Sequence, residues 1–229
     1  HGVLMRDIPL NDFAIDILND ALWFTRDKNY EAVVKTKADK HNKEDADYYT
    51  GDAYFKLIKS QGMGHGGFPE VVVSHGFGIG QMHFSKEKVS QSKIPEVSLK
   101  QEAFLQKIQT TFNLKRNALF AVYPPGGYIS WHNNANASAF NCVFTWSETG
   151  DGWWKHWDNE KKEMVTIPDK KGWQCKVGYF GAYEDPEEKL VYHTARNGDT
   201  GLRMTVAFVL DRSEMAVGMQ DWIIEDIHA

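Results

Sequence analysis

Residues 123–134 read Tyr-Pro-Pro-Gly-Gly-Tyr-Ile-Ser-Trp-His-Asn-Asn and follow directly on an apolar segment that begins at Ala118. Consecutive proline and glycine residues mark a turn, because proline fixes its own backbone angle and glycine accepts conformations that other residues avoid. His132 comes soon after this turn, two residues before Asn134. The stretch therefore places a side chain able to bind a metal within a β-rich part of the chain.

Short apolar segments continue downstream of Arg116 and are separated by turn signals such as those at 150–152 and 197–199. Many short strands at this spacing predict a sandwich, a barrel or a jelly roll. The predicted strands are Ala118–Tyr123, Phe140–Trp146, Trp153–Trp157, Met164–Ile167, Gln174–Phe180, Leu190–His193 and Leu202–Leu210.

The chain before Arg116 has a different pattern. Asn11 or Asp12 is a candidate cap for a helix whose apolar residues recur at helical spacing up to Leu22. Ser98 is predicted to cap a second helix that ends near Asn113, and 27–52 reads as loop with a short helix. We therefore expect a mainly β, α+β fold in one domain, 1–229. It divides into an N-terminal elaboration of helices and loops (1–115), a β core (116–212) and a C-terminal helix (213–229).

The composition of the 229 residues excludes several classes of protein. A hydrophobic share of 42% is ample for a packed core, and the net charge of −5 gives no clear footprint for nucleic acid. The two cysteines, Cys142 and Cys175, lie far apart without metal-site spacing, so we expect buried free thiols. Neither a membrane span nor a signal peptide is evident, and a cytoplasmic location is expected.

Three features in the β half carry the chemistry. His193 follows His132 after 61 residues, Arg203 comes ten residues later, and Thr205 is two residues further on. Two imidazoles from different strands suit a divalent metal such as Fe(II). An arginine can grip a carboxylate through two parallel hydrogen bonds, and a hydroxyl two residues along a strand lies on the same face.

In this order and spacing, the residues resemble the iron(II)- and 2-oxoglutarate-dependent oxygenases, especially their prolyl-hydroxylase-like branch. The resemblance spans 118–210 and includes Gly-Asp-Gly-Trp-Trp at 150–154, which looks like the Gly-rich turn of the family. Segments 132–136 and 144–147 are also similar to poorly characterised oxygenases of marine phages and bacteria. The resemblance implies a double-stranded β-helix, or jelly roll, that binds Fe(II) and uses 2-oxoglutarate as cosubstrate.

The resemblance also implies roles for particular residues. His132 and His193 match the iron ligands and, with Arg203, the catalytic residues. Arg203 and Thr205 match the residues that bind the distal carboxylate of 2-oxoglutarate, and Tyr123 matches a tyrosine that hydrogen-bonds the cosubstrate. The expected function is a dioxygenase that hydroxylates an unidentified substrate, either a small molecule or a protein side chain.

Asn134 departs from the family pattern, which has aspartate at this position. Its carbonyl oxygen can ligate a metal but brings no negative charge, so iron would be held less tightly. Alternatively, Asn134 stands back and a water or a halide fills the gap, as the chloride does in halogenases. A third alternative is a jelly-roll protein that binds metal or ligand without turnover. Glu148 and Asp151 are the nearest acids that follow His132 in sequence.

Individually, these residues also have ordinary structural explanations. A single histidine on a strand is more often a core or surface residue than a ligand. Arg203 can equally pair with an acidic residue at the surface. The conjunction of order, spacing and local sequence favours the oxygenase.

Overall fold

A computed structural model describes residues 5–61, 72–79, 94–134, 140–182, 184–210 and 215–229. Within them the chain forms two antiparallel β-sheets with helices packed around them. The mainly β fold with N-terminal helices that the sequence predicts is thereby confirmed.

The first sheet has six strands in the order β1-β9-β6-β11-β4-β3, and the second has five in the order β2-β5-β10-β7-β8. Most neighbours are distant in sequence, so the sheets depend on long-range pairing. The strands are β1 (Met5–Ile8), β2 (Ser74–His75), β3 (Phe77–Gly78), β4 (Arg116–Tyr123), β5 (Tyr128–His132), β6 (Phe140–Ser147), β7 (Trp153–Asp158), β8 (Glu163–Pro168), β9 (Gly172–Tyr179), β10 (His193–Arg196) and β11 (Arg203–Val209).

Successive strands from β4 to β11 alternate between the two sheets, except that β7 and β8 are neighbours in the five-stranded sheet. The turn from β4 to β5 contains Gly126, whose φ of 75° lies in the left-handed region that glycine tolerates best. This turn carries the chain from one sheet to the other. The Tyr123 end of β4 and the His132 end of β5 therefore belong to facing sheets.

In the described segments six α-helices pack around the sheets: α1 (Asp12–Asn19), α2 (Lys28–Asp39), α3 (Lys43–Tyr49), α4 (Asp52–Gln61), α5 (Ile94–Phe112) and α6 (Met215–Ile227). A 3-10 helix, Asp20–Arg26, continues α1. The side chain of Asn11 accepts a hydrogen bond of 2.8 Å from Ala14 N, which confirms the predicted cap. The main hydrophobic core lies between the six-stranded sheet and helices α1, α2, α5 and α6, whereas α4 packs with Trp131 of the five-stranded sheet in a smaller cluster.

Several elements differ from the sequence-based expectation. The segment 27–52 holds two helices, α2 and α3, rather than mainly loop. Helix α5 begins at Ile94, so Ser98 lies inside the helix rather than capping it. Pro95 is tolerated in the first turn because the N–H groups there have no carbonyl partner within the helix. His193 begins a strand rather than ending one. The strands β1 to β3 were not predicted, because their short segments contact partners more than 40 residues away.

The two cysteines are buried and free, as expected, with their Sγ atoms 3.8 Å apart on β6 and β9. Among the described residues, no helix combines the length and the apolar character that a membrane crossing requires.

Candidate metal and carboxylate site

His132 and His193 lie side by side on neighbouring strands of the five-stranded sheet. His132 ends β5, His193 begins β10, and the two are paired in register. Their ring centroids are 4.3 Å apart and both side chains are buried. The structure thus brings together the two histidines that are 61 residues apart in the chain.

Each imidazole is oriented by the backbone of its own strand. His132 Nδ1 lies 2.7 Å from the carbonyl oxygen of Ser130, and His193 Nδ1 lies 2.9 Å from that of Val191. A carbonyl oxygen only accepts, so each Nδ1 must carry the proton and donate it. The lone pair of each neutral ring is then at Nε2, which is the arrangement that metal-binding histidines use.

Burial keeps both rings neutral. It lowers the pKa of His132 from 6.5 to about 4, and the hydrogen bond to Ser130 opposes the shift only partly. Burial also lowers the pKa of His193 well below its usual range, and the neighbouring His132 lowers it further. Because only a neutral imidazole can ligate, both side chains are in the state that metal binding requires near neutral pH.

The strand that carries His132 is fixed from its other face. The Trp131 indole packs against Phe55 of α4 with centroids 4.8 Å apart, and its Nε1 donates to the carbonyl oxygen of Thr50. The hydroxyl of Ser130 accepts a hydrogen bond from Val73 N. A ligand held on a strand that is packed and hydrogen-bonded in this way has little freedom to move.

No described acidic residue completes the histidine pair. Within the described part of the chain, no group of three or more His, Cys, Asp or Glu side chains is placed to hold a metal. Glu148 accepts from Leu202 N, and Asp151 accepts from the Thr149 and Thr200 hydroxyls, so both acids are engaged in the turn before β11. Asn134 is half-buried and lines the same cavity as the histidines.

A third histidine, His156 on β7, was not singled out from the sequence. It lies opposite His193 in register, and its ring stacks on Trp154 with centroids 4.8 Å apart. Burial lowers its pKa as well. No motif marks this residue, because only the pairing of β7 with β10 brings it near the other two.

Arg203 is buried rather than at the surface and forms an ion pair with Asp169. Its Nε donates to Asp169 Oδ2 at 2.7 Å, and the two side chains are 3% and 0% exposed. Its Nη1 also lies 3.3 Å from the hydroxyl oxygen of Thr205. Its Nη2 also donates to Asp169 Oδ1 at 3.3 Å, so Asp169 binds the guanidinium through two nitrogens and neutralises its charge. These contacts use three of the five guanidinium N–H groups, which leaves two donors for a ligand.

The Gly-rich turn at 150–152 makes room for this ion pair. Gly152 lies so close to Asp169 that a Cβ atom there would collide with the carboxylate. The backbone N–H of Asp169 donates to the carbonyl oxygen of Gly152 at 2.9 Å, and Gln174 Nε2 donates to Asp169 Oδ1. The turn therefore positions the residue that sets the orientation of Arg203.

Tyr123 ends β4 directly opposite Arg203 in register. Burial raises the pKa of its hydroxyl to about 12, although the positive charge of Arg203 opposes the shift. The phenol is therefore a neutral hydrogen-bond donor near the guanidinium. Its strand end is fixed by Asn197, whose Nδ2 donates to the carbonyl oxygen of Tyr123.

All six residues predicted for the site line one cavity of about 460 Å³ between the two sheets. The five-stranded sheet contributes the histidines and Trp154. The six-stranded sheet contributes Tyr123, Thr205 and all the cationic side chains, including one that the sequence did not reveal, Lys176 on β9. The cavity volume is typical of a site for a small molecule. The roles predicted for these residues remain predictions.

The chemistry of this donor set fits Fe(II) and 2-oxoglutarate. Two neutral imidazoles with Nε2 lone pairs are suitable ligands for a divalent iron, and His132, His193 and Asn134 would hold it. Arg203 and Thr205 present donors suited to a carboxylate on the facing sheet.

Comparisons with known proteins give only distant matches. No family model and no curated protein matches the chain. Among solved structures, the chain is similar to a prolyl-4-hydroxylase from Pseudomonas putida, with 11% identity and a TM-score of 0.33, over 70% of this chain and 85% of that chain. It is also similar to the viral collagen prolyl hydroxylase of Paramecium Bursaria Chlorella virus-1, in a 2OG complex. That match has 11% identity and a TM-score of 0.34, over 92% and 98% of the two chains.

A third similar structure is the coconut allergen cocosin, with 12% identity and a TM-score of 0.24, over 47% of this chain and 25% of that chain. The first two structures are prolyl hydroxylases. At these TM-scores the similarity assigns no role to any residue of this chain.

Proposed function

We propose that the protein is an Fe(II)- and 2-oxoglutarate-dependent dioxygenase that hydroxylates a C–H bond of its substrate. One observation carries the proposal: two neutral, backbone-oriented histidines and a buried arginine line the same cavity from opposite sheets. The alternation of β4 to β11 between the sheets supports assignment of the β core as a double-stranded β-helix.

In this proposal each side chain has a defined task. His132 and His193 hold the metal through Nε2, while the Ser130 and Val191 carbonyls fix the ring orientation. Arg203 and Thr205 bind the distal carboxylate of 2-oxoglutarate, and the neutral Tyr123 hydroxyl donates to the same cosubstrate. When bound, iron supplies the oxygen chemistry, in which oxidative decarboxylation of 2-oxoglutarate to succinate is coupled to hydroxylation.

Asn134 faces the same cavity as the metal ligands, and we propose that its side-chain oxygen is directed to the metal, either as a ligand or through a water. A half-buried amide gains from such an acceptor role, because an unpaired polar group away from water is costly. A site with a neutral third ligand carries one negative charge fewer than one with aspartate.

The experiment that tests the function is an anaerobic titration of the iron-loaded protein with 2-oxoglutarate. A weak visible charge-transfer band is expected in the wild type, and admission of O₂ should release succinate. His193→Ala should give neither signal. The exposed His228 provides the matched control, because His228→Ala should retain both signals. A wild-type protein that binds iron but gives no band would contradict the proposal.

The role of Arg203 has its own test, calorimetry with 2-oxoglutarate. Charge-assisted contacts contribute about 1.5–3 kcal/mol each, so Arg203→Ala should weaken binding by about tenfold or more. The variant also leaves Asp169 unpaired and can destabilise the fold, so Arg203→Lys, which keeps the charge but loses the planar fork, is measured beside it. Unchanged affinity in both variants would exclude Arg203 from the cosubstrate site.

Asn134 is also the observation behind two alternative functions. With a neutral third ligand, the protein can bind metal and 2-oxoglutarate without turnover, or admit a halide and act as a halogenase. A band that persists in air without succinate release would indicate the binding protein. A band that shifts with added chloride would indicate the halogenase, which we rank lower because asparagine is bulkier than the small residue that halogenases have.

The substrate that we propose is a small molecule or a protein side chain. A cavity of about 460 Å³ accommodates either one together with the cosubstrate. Screening metabolites and peptides for substrate-stimulated release of succinate would identify the class.

A further inference from the structure

Lys176 is a buried cation inside the cavity, on the sheet that faces the histidines. It lies in the middle of β9 and its side chain is only 6% exposed. Its Nζ lies 5.8 Å from the centre of the Trp154 ring, and that ring is 5.8 Å from the ring of His193. The ammonium group therefore reaches across the cavity towards the candidate metal ligands.

No carboxylate within the described part of the chain forms an ion pair with Lys176. Asp7 lies directly opposite Lys176 in register on β1 and favours the charged amine, but it is exposed to solvent and forms no ion pair with the lysine. Asp169 also favours it, but this carboxylate is already paired with Arg203. Trp154 offers only its ring face at a distance near the limit of a cation–π contact.

Burial of an amine without an ion-pair partner is unfavourable, and burial lowers the pKa of Lys176 although Asp7 and Asp169 oppose the shift. The residue beside Lys176 on the neighbouring strand β6 is apolar Val143, which avoids this cost, and the residue beside it on β1 is the exposed Asp7. A lysine in this layer is explained by a ligand that brings the missing negative charge.

The charges that line the cavity have one sign. Its described lining residues include three cations, Arg116, Lys176 and Arg203, and no Asp or Glu. Arg203 is compensated by Asp169 behind it, and Arg116 is exposed to solvent at the start of β4. Lys176 is therefore the buried cation among these residues that has no ion-pair partner in the described part of the chain.

We propose that Lys176 binds a carboxylate group of a molecule held in the cavity, opposite the two histidines. The proposal deepens the proposed function and rests on it for the role given to Arg203. A lysine acts as a point charge with three donors, so one bound oxygen of the carboxylate is enough.

The carboxylate has two possible sources. It belongs either to 2-oxoglutarate, with Lys176 sharing the cosubstrate with Arg203, or to the molecule that is hydroxylated, which would then be an acid. Binding measurements on the full chain loaded with Fe(II) under anaerobic conditions distinguish them. The variants are Lys176→Met, which keeps the length of the side chain without its charge, and Lys176→Arg, which restores a cation.

The matched control is Lys155→Met. Lys155 lies on β7 next to Trp154 and does not line the cavity, and its Nζ lies 4.2 Å from the centre of the Trp153 ring. This variant also removes one lysine charge from a strand of the β core. Thermal unfolding of all variants checks that any loss of binding is not a loss of fold.

The first arm compares 2-oxoglutarate with 2-oxovalerate, which has the same chain but no distal carboxylate. If the cosubstrate supplies the carboxylate, Lys176→Met weakens binding of 2-oxoglutarate about tenfold or more and leaves 2-oxovalerate unchanged. Lys176→Arg recovers most of the affinity, and Lys155→Met equals the wild type.

The second arm adds butyrate to protein already saturated with 2-oxoglutarate, with butyramide as the uncharged control. If the hydroxylated molecule supplies the carboxylate, butyrate perturbs the visible band of the wild type without displacing the cosubstrate. This effect disappears in Lys176→Met, and butyramide has no effect. The affinity for 2-oxoglutarate is then the same in both proteins.

Lys176→Met that matches the wild type in both arms, while folded, would overturn the proposal. A wild-type protein that binds no 2-oxoglutarate would instead contradict the proposed function. In that case, calorimetric titration of the wild type and Lys176→Met with butyrate still decides whether Lys176 binds a carboxylate.

Discussion

The two walls of the cavity deal with buried ionisable groups in opposite ways. On the five-stranded sheet, His132 and His193 become neutral, because burial lowers the pKa of each ring. On the six-stranded sheet, Arg203 stays charged and is paired with the buried Asp169. Lys176 lies on this second wall with no ion-pair partner among the described residues.

The difference follows from the chemistry of the groups. Imidazole gives up its proton near neutral pH and gains a lone pair that a metal can use, whereas guanidinium stays protonated in proteins and needs a counter-charge. One wall is therefore suited to a cation and the other to an anion. A ligand with both a chelating group and a distal carboxylate, such as 2-oxoglutarate, matches a cavity with this division.

The largest effect is expected from loss of a histidine. His132→Ala and His193→Ala should each lower iron affinity by more than about 100-fold, since losing even an outer partner of a metal ligand costs about 10- to 100-fold. Equilibrium dialysis with iron quantification measures the affinity, and His228→Ala serves as the exposed control. If both cavity variants still bound one iron per chain, the wall that carries His132 and His193 would not be a metal site.

On the opposite wall, Asp169→Asn should leave the guanidinium of Arg203 buried without its counter-charge. Removal of one partner from a buried ion pair costs about 3–5 kcal/mol, so the free energy of unfolding in urea should fall by that amount. Asp20→Asn, which breaks the exposed pair with Lys107, should cost less than about 1 kcal/mol. Similar losses in the two variants would mean that burial does not distinguish these ion pairs.

The pH dependence of stability tests the neutral histidines in the metal-free protein. The folded-state pKa of His132 is about 4 and its unperturbed value is 6.5, so the unfolded chain binds the extra proton first as the pH falls. Stability should therefore decrease from pH 6.5 towards pH 4, by about 2 kcal/mol at pH 5 from this residue. His132→Gln should reduce the decrease between pH 7 and pH 5 by that amount in urea titrations. An unchanged decrease would mean that His132 titrates normally.

Asn134 is uncharged and follows β5, the strand that carries His132. Introducing a carboxylate at this position tests whether the neutral wall holds the metal. Asn134→Asp should bind Fe(II) more tightly by about tenfold, or about 1.4 kcal/mol, because the metal gains an anionic ligand. Asn134→Ala, which lacks the side-chain oxygen, should bind more weakly than the wild type. Equal affinities in a titration of all three proteins would place Asn134 outside the coordination of the metal.

The smallest effect is expected from Thr205→Val, which keeps the shape of the side chain and removes the hydroxyl. A neutral hydrogen bond contributes about 0.5–1.5 kcal/mol, so 2-oxoglutarate should bind about threefold to tenfold more weakly by calorimetry. Thr166→Val on the exposed face of β8 is the control and should leave the affinity unchanged. If Thr205→Val binds 2-oxoglutarate as tightly as the wild type, the Thr205 hydroxyl does not assist Arg203 in binding the carboxylate.

The order and spacing of His132, His193 and Arg203 in the chain predicted residues that the structure places in one cavity. Most of the strands after Arg116 were also predicted, because apolar segments and turn residues are local signals. By contrast, β1 and the two-residue strands β2 and β3 are too short to carry such a signal. They exist because distant strands offer them hydrogen-bonding partners.

By itself, the sequence determined which side chains are available for chemistry: two imidazoles, a guanidinium with a hydroxyl two residues away, and an asparagine where the family that the motifs resemble has an aspartate. The tertiary structure alone decided their electrostatic state. Asp169 precedes Arg203 by 34 residues and lies in a turn, and Lys176 has no motif at all. Their importance comes from burial and from which charges face one another across two sheets, and these properties arise only when distant strands pack together.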